Sequence, residues 1–394
     1  MINIVKDRDE LMKVCFVHDF VSLQENNKDD FYAVGFSYNI WERYLKVFDE
    51  LVVISRFRIV DAINNETKSS GPNVIFDPIY SYKHPISLLK NTRRIKKEIR
   101  EKILSAEGVI IRLPSVLGFL AADICRKYNK PYLVEVVGSA YDSFYYHGNI
   151  MGKLLAKPFD EWQKRSTRNA IAAIYVTKDF LQNRYPTNGK KFNGVSNVQL
   201  TNIRDDQDVN INNITKIGLV GSTFVKYKGH EFALNVIAKL KHQNINLVLE
   251  LVGQGMSKDL EKKIKEKNLE NNIVYKGVIF NPKLLNDWYR TLDIYIQPSI
   301  TEGHCRSIVE AIGNNIPTIA TNVGGNSDSI DNKFLFELNE EDRAVSLLKN
   351  LIQNNDLRLE NIKLNKMKIE EFKIEKIERK RTEALNYYKN QVEA

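Results

Sequence analysis

The sequence predicts an α/β protein built from two doubly wound, parallel-sheet domains facing a cleft. Three observations carry that class. Short apolar runs alternate with segments of helical spacing along most of the chain, the pattern of parallel strands covered on both faces. A polar stretch without periodicity, TNIRDDQDVNINNIT over 201–215, breaks the alternation, which then restarts. At 394 residues the chain exceeds one small domain, and an apolar share of 43 % is enough to fill two cores. The expected domains are 1–205 and 214–375.

In the first domain, strands are expected over 13–18 (KVCFVH), 50–55, 73–76 at an edge, 108–112 (GVIIR), 131–137 and 172–177, with 192–198 closing the domain. Helices are expected after Gly35 through Tyr44 and Val47, then over 88–104, 116–128 and 149–169. In the second domain, strands over 216–220, 246–252, 273–276, 292–299 and 317–323 alternate with helices over 229–242, 258–267, 282–291 and 306–312. A charged helical stretch follows over 340–389.

Composition narrows the setting. Cys15, Cys125 and Cys305 are odd in number and far apart, which fits neither a disulfide framework nor a metal site and suits a reducing cytoplasm. The first residues lack a signal layout, and no apolar run approaches the ~18 residues that span a bilayer. The expected place is the cytoplasm or the inner face of its membrane. The net charge of +9 favours anionic partners without naming one.

The most informative stretch is QPSITEGHCRSIVEAIGNNIPTIATNVGG, 297–325. It reads as strand, turn, helix, strand. A loop at the carboxyl end of a parallel strand lies where ligands bind. The helix that follows offers free N–H groups and a positive dipole end to a phosphate. Glu302 stands before that helix and Glu310 inside it. Carboxylates beside an anion site suit hydroxyls, because one carboxylate accepts both O–H groups of a cis-diol. Hydroxyl, phosphate, hydroxyl describes a sugar nucleotide.

The EGHCRSIVE spacing, with its flanks QPS and EAIGNNIPTIATNVGG, resembles the signature of the family 4 retaining glycosyltransferases of the GT-B fold. The resemblance implies that Glu302 contacts the donor sugar and Glu310 the ribose. It implies donor contacts along Gly303, His304, Cys305, Arg306, Ser307 and Ile308, with the 306–308 backbone holding the diphosphate. It also implies a final helix, 376–394, that crosses back to the first domain. The bland alternative is a buried helix between two strands with solvated glutamates.

LVGSTFVKYKGHE, 219–231, resembles the same family's phosphate loop: Gly221 admits close backbone approach and Lys228 neutralises a departing diphosphate. Where the family carries Arg, this chain has Ser222, so Lys226 is a candidate replacement. A capsular and exopolysaccharide subgroup has a similar pattern. KGVIF, around Val278, resembles the segment whose backbone meets the base. LVGQGMSK is a weak dinucleotide fingerprint, since Lys258 replaces its third glycine; it reads as a turn beside the cleft. Asp7-Arg8-Asp9 and Asp206-Gln207-Asp208 fit the Asp-x-Asp string of metal-type transferases but lie outside the strand ends and read as solvated. No metal and no resident cofactor are expected, the substrate being a UDP- or GDP-linked sugar.

The first domain is expected to hold the acceptor. Its stretch 110–142 resembles the polysaccharide subgroup, with Val137 in place of the family's frequent His before Gly138. The candidates around it are Arg112, Glu135, Ser139 and Asp142, with Gly35 facing the diphosphate from across the cleft. For Asp142 a helix cap is the equal alternative, and His147 reads as surface. The helix over 88–104 carries seven Lys/Arg against two Glu in residues 90–104, with Ile95, Ile99 and Ile103 on one face. Arg93, Lys97 and Arg100 on the other are candidates to meet an anionic inner membrane or a lipid diphosphate, against an ordinary solvated face. Nucleic acid is not expected, since no aromatic-interleaved basic motif occurs.

Together these imply a metal-independent, retaining glycosyltransferase that moves a sugar onto a lipid-linked saccharide in surface polysaccharide synthesis. Val137 and Ser222 keep two alternatives open. One is a silent partner subunit that binds sugar nucleotide; the other is a sugar-nucleotide epimerase on the same fold.

Overall fold

A computed structural model describes residues 11–64, 66–80, 85–147, 150–198, 200 and 215–394. Both Asp-x-Asp strings and nearly all of the expected 201–215 linker lie outside the described residues, as does the side chain of His147.

The first sheet is built on β1 (Lys13–Glu25), which is joined by β2 (Phe31–Ala33), β3 (Glu50–Val60), β4 (Thr67–Lys68), β5 (Val74–Phe76) and β6 (Ile79–Tyr80). It continues with β7 (Gly108–Leu113), β8 (Leu133–Val136), β9 (Ala172–Tyr175) and β10 (Lys190–Phe192). The parallel path runs β10-β9-β8-β7-β1-β3-β5, and β2 and β4 add an antiparallel flap along the far end of β1. Strand β1 is longer than its apolar run. After a register shift between Val17 and Val21 it follows β3 out to Glu25, where Gln24 and Glu25 are partly exposed and the buried Ser22 hydroxyl lies 2.9 Å from Ser55 Oγ and donates to the Arg56 carbonyl at 3.0 Å.

Helices α1 (Tyr38–Leu45), α2 (Pro85–Leu104), α3 (Val116–Lys127), α4 (Ala140–His147), α5 (Ile150–Arg168) and α6 (Phe180–Arg184) complete the first domain. Ile95, Ile99 and Ile103 of α2 are buried, as the four-residue spacing predicts. They share one core with α3 and the covered face of β7. The amino end of α3 is held twice. Ser115 Oγ accepts from the Gly118 N–H at 2.9 Å, and the Asp19 carboxylate accepts from the N–H groups of Val116 and Leu117 at 2.5 and 2.9 Å. Helix α4 was not foreseen; the helical stretch expected over 149–169 corresponds to α5 alone.

The second sheet is wholly parallel, with β11 (Thr215–Val220), β12 (Leu247–Val252), β13 (Ile273–Gly277), β14 (Ile294–Gln297), β15 (Thr318–Thr321) and β16 (Leu335–Phe336). Its order is β13-β12-β11-β14-β15-β16. The order reverses between β12 and β14 around β11, so the loops after β11 and β14 open into one crevice. Helices α7 (His230–His242), α8 (Lys258–Glu266), α9 (Pro282–Tyr289) and α10 (Arg306–Gly313) link the strands.

The charged helical stretch expected over 340–389 is three helices, α11 (Glu341–Gln353), α12 (Asn355–Ile369) and α13 (Ile374–Glu393). Asn354 divides the first two by capping α12, its side chain accepting from the Leu357 N–H at 3.0 Å. The last helix does cross back. Its Ile377, Ala384, Leu385 and Tyr388 are buried. The Tyr388 hydroxyl accepts from the Val109 N–H at 2.5 Å and reaches the Pro131 carbonyl at 3.1 Å. At the surface, Lys46 and Glu378 pair at 2.9 Å. No helix among the described residues is long and apolar enough to cross a membrane.

Candidate active site

The turn between β14 and α10 holds Glu302 in a relay of hydrogen bonds. The Tyr295 hydroxyl donates to Gln297 Oε1 at 2.5 Å, Gln297 Nε2 donates to Ser299 Oγ at 2.8 Å, and Ser299 Oγ donates to Glu302 Oε1 at 2.8 Å. Gln297 and Ser299 are fully buried, so the relay is anchored in the sheet. Lys228 Nζ then donates to the same Glu302 oxygen at 2.7 Å. Burial alone would lower the Lys228 ammonium, but the Glu302 carboxylate outweighs it and holds the lysine well above its ordinary range. Lys228 is a fixed cation at any physiological pH.

Glycine makes this contact possible. A Cβ on Gly221, just after β11, would stand 2.9 Å from Lys228 Cγ and 3.0 Å from its Cβ. Gly324, at φ 56°, lies against the Glu302 carbonyl, 1.8 Å from where its own Cβ would be. The Gly221 loop and the Gly253–Ser257 loop brace each other. Ser222 Oγ donates to the Gln254 carbonyl at 3.1 Å, and Thr223 Oγ1 donates to that of Gly255 at 2.8 Å. The Ser222 hydroxyl is therefore occupied within the loop. Lys226 is exposed one residue before Tyr227, and Val278 is exposed beyond β13.

Helix α10 starts at Arg306, and its cap residue, Cys305, offers no side-chain acceptor to the first N–H groups. The Cys305 thiol is buried, pushed up to about 12 by burial, and sits 3.2 Å from Ser307 Oγ. It is an inert wall of the site. Ser307 and Ile308 are buried, and Ser307 Oγ donates to Gln297 Oε1 at 3.2 Å. Glu310, one to two turns into the helix, accepts from the Tyr289 hydroxyl at 3.1 Å. Burial pushes its carboxyl above the ordinary range, against the pull of Arg306 and of that hydroxyl.

His304 spans the cleft. Its Nδ1 lies 2.9 Å from Ser196 Oγ of the first domain and its Nε2 lies 3.0 Å from Ser329 Oγ of the second. Burial, helped by the charge of Lys178, lowers it to about 4, so the ring is neutral at pH 7. Beside it Gly303 touches the first domain: a Cβ there would stand 2.5 Å from the Val137 carbonyl oxygen.

On the first-domain side, a cavity of 370 Å³ is lined by Gly35, Arg112 and Val137 from the expected set, with His18, Phe36 and Arg43. His304 and Arg306 close it from the second domain. Gly35 has φ 74°, with open space where a Cβ would be. Ser139 and Asp142 are not among the lining residues. Ser139 Oγ accepts from the Tyr185 hydroxyl at 2.9 Å and from the Asp142 N–H at 3.1 Å, which caps α4. Asp142 pairs with Arg184 at 3.4 Å. Gly138 gives its carbonyl to Gln163 Nε2 at 2.8 Å.

Three residues of this region were not foreseen. Arg43 and Arg381 flank Glu135 from α1 and α13, and His18 is at the end of the apolar part of β1. Arg381 had a signal in the sequence, because it occupies the same helix face as the buried Ile377, Ala384 and Tyr388.

Residues 202–367 match the family model described as glycosyl transferases group 1. Over 378 residues the chain is 47 % identical to Protein CapJ of Staphylococcus aureus, covering 96 % of each. The chain belongs to the group 1 glycosyltransferases, the family 4 enzymes expected from the EGHCRSIVE signature. Two solved structures show how far the glycosyltransferase fold extends. The lipopolysaccharide outer core galactosyltransferase WaaB aligns at TM-score 0.65 and 16 % identity over 95 % of this chain and 99 % of its own. Anabaena Alr3699/HepE, solved in complex with UDP and glucose, aligns at 0.63 and 15 % over 95 % of this chain and 100 % of its own. Both likenesses support the two-domain GT-B architecture of this glycosyltransferase.

Proposed function

We propose that the chain transfers a sugar from a nucleoside diphosphate sugar to a hydroxyl of a growing surface glycan, retaining the anomeric configuration. The observation that carries this reading is the 2.7 Å Lys228–Glu302 pair, held rigid beside the uncapped start of α10. Glu302 accepts hydroxyls of the donor sugar, Lys228 and the 306–308 backbone hold the diphosphate, and Glu310 offers its remaining oxygen to the ribose. The acceptor oxygen bonds to the anomeric carbon on the face the diphosphate leaves. The bond from that carbon to the phosphate oxygen breaks, and the departing oxygen takes the acceptor proton. Charge builds on that oxygen, where a fixed ammonium and the helix dipole stabilise it without a metal ion. The likeness to WaaB, named for lipopolysaccharide synthesis, supports a surface polysaccharide product.

The acceptor is lipid-linked in this reading, and the chain works at the inner membrane face. Two features of one helical layer support that. The basic face of α2 carries Arg93, Lys97 and Arg100. Across α3, helix α5 exposes Ile150, Met151 and Leu154 next to Lys153 and Lys157.

Lys228→Ala tests the reaction. Its stabilisation grows as charge develops, so turnover should fall about 10²–10³-fold while donor affinity falls far less. Parental turnover in a folded mutant would remove the phosphate role. A protein that binds nucleotide sugar yet neither transfers nor hydrolyses it would instead be the silent partner that Val137 and Ser222 suggest.

A further inference from the structure

The floor of the cleft cavity carries more positive charge than its surroundings balance. Glu135 is 1 % exposed and is the carboxylate at its centre. Its Oε1 accepts from the Tyr44 hydroxyl at 2.8 Å and from Arg381 Nη1 at 3.3 Å, and its Oε2 lies 3.3 Å from Arg112 Nε. Arg43 joins from α1. Arg43 and Arg112 are each 7 % exposed, and both line the cavity. Two guanidiniums thus pair with one carboxylate, and a third stands nearby without pairing to it.

The Nε atoms of all three lack a hydrogen-bond acceptor among the described residues, and Arg43 alone of the three also lacks an ion pair there. Its Nη1 reaches only the neutral Asn197 Oδ1, at 3.5 Å. Burial, with repulsion from Arg381 and Arg112, lowers it to about 10, so it still carries its charge at pH 7. The neighbouring groups do not supply the missing anion. His18 and His304 are neutral at that pH, and the Asp19 carboxylate is turned to the amino end of α3. Arg306 adds another cation at the rim. A buried cation without a partner is costly unless a ligand completes it. The cavity borders the proposed diphosphate position at Gly35, His304 and Arg306 but extends away from it, because Lys228, Glu302 and Gly221 are absent from its lining.

We propose that Arg43 and Arg112 bind an oxyanion carried by the acceptor, so that the acceptor is an acidic saccharide. Two neighbouring guanidiniums match a carboxylate or a phosphate, whose oxygens accept in pairs. The acid group is either a uronic-type carboxylate on the sugar that presents the hydroxyl or the phosphate to which the glycan is linked. Either would fix the acceptor beside Val137 and aim its hydroxyl at the donor. The inference rests on the acceptor assignment of the preceding subsection.

The test is a thermal-shift and calorimetric comparison of glucuronate, glucose 1-phosphate and glucose. It is run on the full chain, alone and with saturating UDP or GDP to fill the diphosphate site. An additional shift with glucuronate or with glucose 1-phosphate, and none with glucose, is the expected result; which acid works names the source of the oxyanion. Arg43→Gln should weaken the acid ligand about 10–100-fold and Arg43→Lys should restore part of it, with nucleotide affinity as the control for folding. Equal response to glucose and the acids, or no response to any, overturns the proposal, and this comparison on the parent protein decides even if Arg43→Gln does not fold. If neither nucleotide binds, the donor reading fails separately, while the acid-against-neutral comparison on the protein alone still stands.

Discussion

His304 shows how one side chain can join two domains and make the joint depend on pH. Both ring nitrogens are engaged, one with each domain, by hydroxyls that suit a neutral imidazole. Its folded-state value of about 4 lies below the unfolded value near 6.5. Its share of stability is therefore full above pH 6.5 and is lost as the pH falls from there towards 4, at up to about 1.4 kcal/mol per pH unit. The buried His230, also lowered to about 4, acts in the same direction, while Glu310 and Asp328, raised by burial, oppose it. Urea midpoints measured from pH 7 to 4 should fall, and His304→Asn should fall less steeply by about one proton's share. An identical slope in that mutant would remove the histidine from the account. At this scale Glu302 and Lys228 each stood in a local string of recognisable type, and the structure brings the two together across 74 residues of chain. The cluster around Glu135 was not legible: Tyr44 is 91 residues away in sequence and Arg381 is 246 away. No local pattern joins residues that only the packed sheet and the returning helix bring together.

Among the elements, α2 shows what a helical pattern can and cannot say. The spacing of Ile95, Ile99 and Ile103 identified the buried face, and the structure buries it. The opposite face is less cationic than its composition suggests. Glu101 lies 4.0 Å from Lys97 and 3.7 Å from Arg100, Arg94 pairs with Glu98 at 2.7 Å, and Arg93 has no ion pair among the described residues. Replacing Arg93, Lys97 and Arg100 by Ser should weaken binding to anionic vesicles by at most about 1 kcal/mol per residue, less where Glu101 already compensates. Sedimentation with phosphatidylserine vesicles at low and high salt measures it, and equal binding by mutant and parent would return the helix to an ordinary solvated face. Strands were legible where they carry an apolar or β-branched run, the largely exposed β13 and the edge strand β5 included. The outer half of β1 and the β2–β4 flap are polar on one side, so nothing in their hydropathy distinguishes them from loops.

In the whole molecule, the two domains meet closely at one turn. Gly303 rests against the Val137 carbonyl, Lys178 N–H donates to Asp328 at 2.7 Å, and His304 bridges the serines. Gly303→Ala should hold the domains apart, because the 2.5 Å approach is to backbone that cannot swing away. The expected result is a loss of turnover of at least tenfold, with nucleotide affinity, which the proposed function assigns to the second domain, nearly unchanged; a wider particle in solution scattering would accompany it. Parental activity would show that the domains do not need this contact to react.

The return of α13 also sets an order of events during synthesis. The strands from β1 to β10 emerge first, yet the core behind β7 is completed by Leu385 and Tyr388, which are translated roughly 195 residues after β10 ends. At ~5–20 residues per second the ribosome takes on the order of 10–40 s to cover that distance. During that interval the second domain can close its own parallel sheet, while the first waits with the Val109 amide and the Pro131 carbonyl uncovered. The domain that is made first is therefore the one finished last.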